Sequence, residues 1–181
     1  SGFYYTDAEE TSSYQKADLP EQTDLSLLDY ADTATDCTME KGSEGITVSN
    51  LGADPNVVFP GVASCFADND KLYGLSLTVD APDETEMAVY YQTEGDEGFS
   101  AEKVYTFKVT EDNRTWEHLV PGGITELRVD VSSPVESAVI NNFELKSCDI
   151  TESGYTALKE SGVDEVTFSD STYQAQVTND A

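Results

Sequence analysis

From residue 34 onward the apolar residues recur at every second position, in run after run. In "YGLSLTVDA" (73–81) Leu75, Leu77 and Val79 fall on one side of an extended chain and Ser76 and Thr78 on the other. The same alternation runs through "GITVSNL" (45–51), "EMAVYYQT" (86–93), "KVYTFKVT" (103–110) and "ITELRVDV" (124–131), and "NVVFP" (56–60), "RTWEHLV" (114–120) and "SAVINNFELKS" (137–147) complete the set. Period two belongs to strands with one buried face, because successive side chains of a strand point to opposite sides; a helix repeats every 3.6 residues. The connections are short and carry turn chemistry: "APDET", "TEDNR", "VPGGI", "VSSPVES". Many short strands so spaced predict an all-β fold, an antiparallel β-sandwich of jelly-roll type over 34–148.

The flanks break the pattern. Residues 1–33 are polar and acidic apart from "FYY" and "LSLLDYA". They predict an irregular lead-in, with a helical turn over 24–31 capped by Asp24. "TESGYTALKESG" (151–162) reads as a short helix: Thr151 as cap, Tyr155 and Leu158 on one face, Gly162 past the end. Strands are expected again over 164–168 and 172–178, so 149–181 reads as a helix plus the start of a following β unit. Both ends read as cuts, and the chain is expected to be a piece of a larger protein.

Charge narrows function. The 181 residues hold 36 acidic and 9 basic side chains, a formal charge of −27. A phosphate backbone needs a basic footprint, so nucleic acid is excluded as a partner. An anionic membrane surface is disfavoured for the same reason. No apolar run approaches the ~20 residues of a membrane span, so contact with a membrane is expected only through flanking segments of a parent protein. Self-repulsion favours a soluble monomer whose melting temperature rises as salt is added from low levels. A bacterial surface domain, a salt-adapted protein and a calcium-dependent module all fit such a composition.

Three cysteines, Cys37, Cys65 and Cys148, form no CxxC pair, and with His118 as the one histidine there is no zinc spacing. First and last strands of a jelly roll commonly lie side by side. A disulfide between Cys37 and Cys148 is therefore expected, with Cys65 alone; three separate thiols are the other reading.

The stretch "YYQTEGDEGFSAEKVYTF" (90–107) joins two strand-like runs through an acidic loop. It reads in three ways. It is a plain hairpin loop, with glycines supplying positive φ. Or it holds calcium through Asp96 and Glu97, with Asp68 and Asp70 of "FADNDK" as further ligands, although no 12-residue EF-hand frame exists. Or it forms part of a sugar site, since flat aromatic faces suit sugar C–H faces. A face site would use Tyr90 and Trp116, each out of phase with its strand's aliphatic residues. A rim site would use Phe99 and Tyr73, with Asp96 and Asp70 accepting hydroxyl hydrogens. The rim is preferred, because Gly95 and Gly98 let the backbone approach a ligand and function concentrates on loops. Burial of all four aromatics would leave no site. A catalytic reading has little to stand on: there is no Gly-x-Ser-x-Gly elbow and no Cys–His proximity, and 36 acids offer a carboxylate pair by chance.

Several of these residues also follow a known order. "DP" (54–55), Tyr90-Tyr91, Gly95, Gly98-Phe99-Ser100, Glu102 and "LRVD" (127–130) resemble a galactose-binding-like β-sandwich module of bacterial cell-envelope glycosyltransferases and polysaccharide-biosynthesis proteins. The resemblance covers about residues 45–147. It departs from the pattern at Val131, where the family has proline, and in lacking a tryptophan on the first strand. Residues 163–181 resemble the start of the extracellular β domain of YfhO-like polytopic membrane proteins. The resemblance implies a non-catalytic extracellular module that binds or positions envelope glycan; a ligand-free spacer and a calcium-stabilised carbohydrate-binding module are the alternatives. It also implies that the acidic loop shapes the hairpin and that Asp54, Arg128 and Asp130 are partly structural.

Overall fold

The computed structural model describes residues 14–19, 21–132, 136–168 and 171–174. Its strands are β1 (Lys16–Asp18), β2 (Glu21–Ser26), β3 (Thr33–Thr35), β4 (Thr38–Gly42), β5 (Gly45–Ser49), β6 (Asn56–Phe59) and β7 (Lys71–Asp80). They continue with β8 (Thr85–Thr93), β9 (Val104–Val109), β10 (Thr115–Pro121), β11 (Ile124–Val131), β12 (Ser137–Thr151), β13 (Glu165–Phe168) and β14 (Ser171–Gln174). One helix, α1 (Glu152–Glu160), follows β12.

Two antiparallel sheets make the sandwich. One has the order β10-β7-β12-β5-β4, with β2 also paired to β12; the other runs β3-β6-β11-β8-β9. From β5 to β12 the chain crosses repeatedly between them, which is the jelly-roll path. The alternation decides which side chains meet inside: Leu75, Leu77 and Val79 of β7 and Phe143 and Leu145 of β12 face Val57, Phe59, Val89, Leu127 and Val129 of the opposite sheet, all at most 1% exposed. Phe59 meets Phe143 edge to face across the sandwich, centroids 5.0 Å apart, an arrangement favoured by the ring quadrupoles. Along β12 the inward phase switches from Ala138 and Ile140 to Phe143 and Leu145, and the register with β7 shifts between Ile140 and Asn142. The "INNF" of the sequence is that bulge.

The flanks differ from expectation in three respects, the first being that Lys16–Asp18, within the expected irregular lead-in, form strand β1. Residues 21–26 were expected in an irregular segment, but they form β2, which pairs with Glu144–Cys148 of β12. Asp24 is no helix cap: it faces Lys146 across the pair, at 3.6 Å. The helical turn there is a 3-10 turn, Leu28–Tyr30, preceded by the fully buried Leu27. A polar strand such as "EQTDLS" gains little from burial; it forms because β12 outruns β5 and offers an unpaired edge. The C-terminal helix agrees with its signals: the Thr151 hydroxyl accepts from Gly154 N at 3.0 Å, and Gly162 takes φ +100 after the end. Tyr155 of α1 is 1% exposed and joins Leu72, Leu119, Ile150 and Val166 in a second, smaller core. Beside it, β13 pairs with β14 and, in parallel, with β1. The expected strand over 172–178 is seen to Gln174; its remainder lies outside the described residues.

The disulfide expectation is corrected. Cys37 is a free thiol whose Sγ donates to the Asn56 carbonyl at 3.6 Å, and Cys65 is free as well. Topology keeps Cys37 and Cys148 apart. Thr38 is in register with Ser49, and Ser49 with Ser137, whereas Cys148 lies eleven residues further along β12, opposite Glu21. At ~3.3 Å per residue that is on the order of 30 Å, far beyond the ~7 Å that a disulfide tolerates between Cα atoms. Among the described residues no helix is long and apolar enough to cross a membrane.

Candidate functional site

The outer face of the five-stranded sheet carries the one cluster in which several of the singled-out residues meet. On β8 and β11, Tyr90 is in register with Arg128, and Ala88 with Asp130. Leu127 and Val129 point into the core, so Arg128 and Asp130 point out together, two residues apart on one strand. Arg128 Nε donates to Asp130 Oδ1 at 2.7 Å and Nη2 to Oδ2 at 3.0 Å, a planar two-bond fork. The guanidinium carbon lies 4.2 Å from the centroid of Tyr90 and 5.2 Å from that of Phe99, within cation–π range of both. Tyr90 belongs to the sheet and Phe99 to the loop over 94–103, so the loop reaches back over the face at this point. The side chains of Arg128 and Asp130 are 21% and 16% exposed.

The electrostatics of the pair are unequal. Burial opposes the charge of Arg128, but the hydrogen bonds and charge of Asp130 outweigh it and hold the guanidinium more firmly protonated than usual. Burial pushes the Asp130 carboxyl up; Arg128 pulls it down, Asp54 pushes it up again, and the net direction is up. At 2.7 and 3.0 Å from a guanidinium it is a carboxylate at neutral pH.

The loop is held by its own residues. One oxygen of Asp96, Oδ2, accepts from Thr93 N at 2.8 Å, from the Thr93 hydroxyl at 3.3 Å and from Lys103 Nζ at 2.7 Å. Lys103 also donates to the Thr93 hydroxyl at 2.7 Å. The hydrogen bond from Lys103, followed by that from the Thr93 backbone, holds the Asp96 carboxyl below the usual carboxylate range. Gly95 makes the turn possible at φ +93, a region that L side chains rarely adopt.

The remaining candidates lie elsewhere. Tyr73 is 5% exposed, with its ring edge-on to Phe66 at 5.3 Å and its hydroxyl accepting from Asp68 N at 3.3 Å; it has no free face for a sugar. Its phase put it there, since Tyr73 continues the Leu75–Leu77–Val79 series. The Asp68 carboxylate accepts from Asp70 N at 3.0 Å and shapes its own turn, which packs so closely on Gly122 that a Cβ there would collide with the Asp68 carbonyl. Trp116 is not on an outer face. It is in register with Leu77 and points inward where the sandwich closes at the β9 and β10 edges. There it stacks on Phe107 (5.2 Å, 11°) and leans on Tyr105 at 5.5 Å, while His118 lies 4.4 Å from Tyr105. Asp68, Asp70, Asp96 and Glu97 do not gather: among the described residues no three acidic, histidine or cysteine side chains are grouped as a metal site.

The sequence pattern assigns Tyr90 and Phe99 to two separate sites, and the fold joins them through Arg128. Arg128 and Asp130 were singled out only by the resemblance, as structural residues. A signal for their role was present: "LRVD" puts an arginine and an aspartate at i and i+2, on one face of a strand, in a chain with two arginines.

No family model and no curated relative matches this chain. Solved structures with a similar layout include the C-terminal CBM6 of LamC, a marine laminarinase of Zobellia galactanivorans. It is 14% identical, with 69% of this chain and 98% of that one covered and a TM-score of 0.43. The second N-terminal cellulose-binding domain of Cellulomonas fimi β-1,4-glucanase C is 14% identical over 71% and 98%, with a TM-score of 0.48. A CBM35 from Paenibacillus barcinonensis is 12% identical over 68% and 98%, with a TM-score of 0.44. These neighbours are carbohydrate-binding modules. At identities and TM-scores this low they leave the ligand of this chain to be argued from its own residues.

Proposed function

We propose that this chain is a non-catalytic glycan-binding module whose site is the outer face of the five-stranded sheet around Tyr90, Phe99, Arg128 and Asp130. One observation carries the reading: two aromatic rings and a fixed guanidinium–carboxylate fork stand together on the outer face of the sheet. Rings supply apolar faces for sugar C–H groups, and the fork supplies donors and acceptors for hydroxyls without further ordering. The exposed Thr106 and the half-buried Val104 extend the same face on β9. The finer setting that we propose is an extracellular part of a bacterial membrane-anchored glycosyltransferase or polysaccharide-biosynthesis protein, where the module positions envelope glycan. The order of Asp54-Pro55, Tyr90, Gly98-Phe99 and "LRVD" supports it, and the hydropathy of the flanking parent sequence tests it.

The binding claim is tested on a glycan array with the unmodified chain, Tyr90→Ala and Asp96→Ala. The expected result is retention of at least one glycan class, lost with Tyr90→Ala and weakened with Asp96→Ala, which loosens the loop that carries Phe99. Retention of no glycan, or retention unaffected by Tyr90→Ala in a folded variant, overturns the proposal.

A further inference from the structure

We infer that this face selects neutral, hydroxyl-bearing glycans and turns away uronates and other anionic ones, with Arg128 supplying the donors and the carboxylates around it setting the selection. The inference rests on the glycan-binding reading above and goes on to the class of sugar.

A guanidinium has five N–H donors in one plane. Arg128 commits Nε–H and one Nη2–H to Asp130. Three donors remain, on Nη1 and Nη2, and no hydrogen bond uses them among the described residues. The fork fixes their directions, so they are ready for a ligand oxygen without loss of side-chain freedom. Their charge, however, is already matched. Asp130 neutralises Arg128 at hydrogen-bonding distance, and Asp54, exposed beside the pair, acts on both residues as an added negative charge. Glu126 lies on the same strand face, two residues before Arg128 and in register with Gln92. The loop's lysine, Lys103, is held by Asp96. Counting Arg128, Asp130, Asp54 and Glu126, this patch carries two net negative charges, within a chain of −27. It therefore offers donors to oxygen in a negative field. A sugar hydroxyl accepts from those donors and gives its own proton to the neighbouring carboxylates. The C6 carboxylate of a uronate accepts but, unlike the hydroxymethyl group it replaces, has no proton to give, and it brings a third negative charge.

The test uses oligosaccharides of glucan, galactan and mannan type, each beside its C6-oxidised uronate form, so that linkage is constant and charge alone changes. Affinities are measured at 10 mM and 500 mM sodium chloride. The neutral member of a binding pair is expected to bind about tenfold more tightly at the lower salt, with the gap shrinking to about threefold or less at the higher, because the repulsion is screened. Asp54→Asn is expected to lower the neutral-to-uronate ratio several-fold, and Arg128→Lys, which keeps the charge but loses the fork, to weaken the neutral sugar. Melting curves of both variants establish that they fold. Equal or tighter binding of the uronate forms, or a ratio indifferent to salt and to Asp54→Asn, overturns the selectivity and leaves the glycan reading standing. Failure of every oligosaccharide of both kinds overturns the glycan reading itself, and this inference with it.

Discussion

Two aromatic clusters lie on neighbouring strands and have opposite surroundings. On β8 and the following loop, Tyr90 and Phe99 attend a guanidinium on the outer sheet face. At the β9–β10 edges Phe107, Trp116, Tyr105 and His118 stack on one another and on the inner core. The second cluster has more ring surface and the chain's one tryptophan, and on composition it is the better sugar platform. Its register sends it inward, where it closes the gap that two sheets leave at their unpaired edges. The lesson is that an aromatic residue in a strand is assigned by the phase of its hydrogen-bonded partner, Leu77 for Trp116 and Arg128 for Tyr90.

The sharpest way to break the comparison is Trp116→Ala. Removing a half-buried indole from the stack is expected to cost about 3 kcal/mol, the lower end of the range for core aromatics, read by urea unfolding. Any loss of glycan retention should track unfolding. A variant as stable as the parent that no longer binds would exchange the roles of the two regions.

Next in size is Asp130→Ala. It leaves a mostly buried guanidinium without its carboxylate, and the expected loss is about 2 kcal/mol, within the range for an unsatisfied charged group. Arg128 and Asp130 replaced together by Met and Leu should recover part of it; no recovery would mean that Asp130 acts through something other than the fork.

Tyr90→Ala should change stability by less than about 1 kcal/mol, the scale of an exposed cation–π contact, while removing glycan retention. A destabilisation as large as that of Trp116→Ala would make Tyr90 a packing residue like its counterpart.

The smallest effect concerns acid. The Asp96 carboxyl is held down by Lys103 and Thr93, so its ionised form is favoured in the folded loop. The stabilisation is complete above the ordinary aspartate value of about 3.9 and is lost as pH falls through the depressed folded value. The protection factors of the Thr93 and Asp96 amides, measured by NMR and so corrected for the intrinsic pH dependence of exchange, should fall there while those of the core amides stay high. Asp96→Asn should show fast exchange at neutral pH already. Protection factors that do not change with pH would remove Asp96 as the loop's staple.

Much of this molecule was decided by local pattern. The eight alternating runs became β5 to β12 because each buries one face, and no other regular structure satisfies period two. Thr151 and Gly162 bounded α1 through hydrogen bonding and a positive φ, both local. The net charge of −27 is likewise a property of composition alone. What local pattern could not carry was partnership. That "EQTDLS" pairs with β12 follows from the length of β12 beyond β5, a property of the sheet. That Cys37 and Cys148 stand far apart follows from strand order, since two residues of one sheet can be separated along the strand as well as across it. Tyr90, Phe99, Arg128 and Asp130 come from a strand, a loop and a second strand, and only the antiparallel register of β8 against β11 sets them on one face. Period two states that a side chain points up or down; which side is solvent, and what stands beside it there, is decided when the two sheets close on each other.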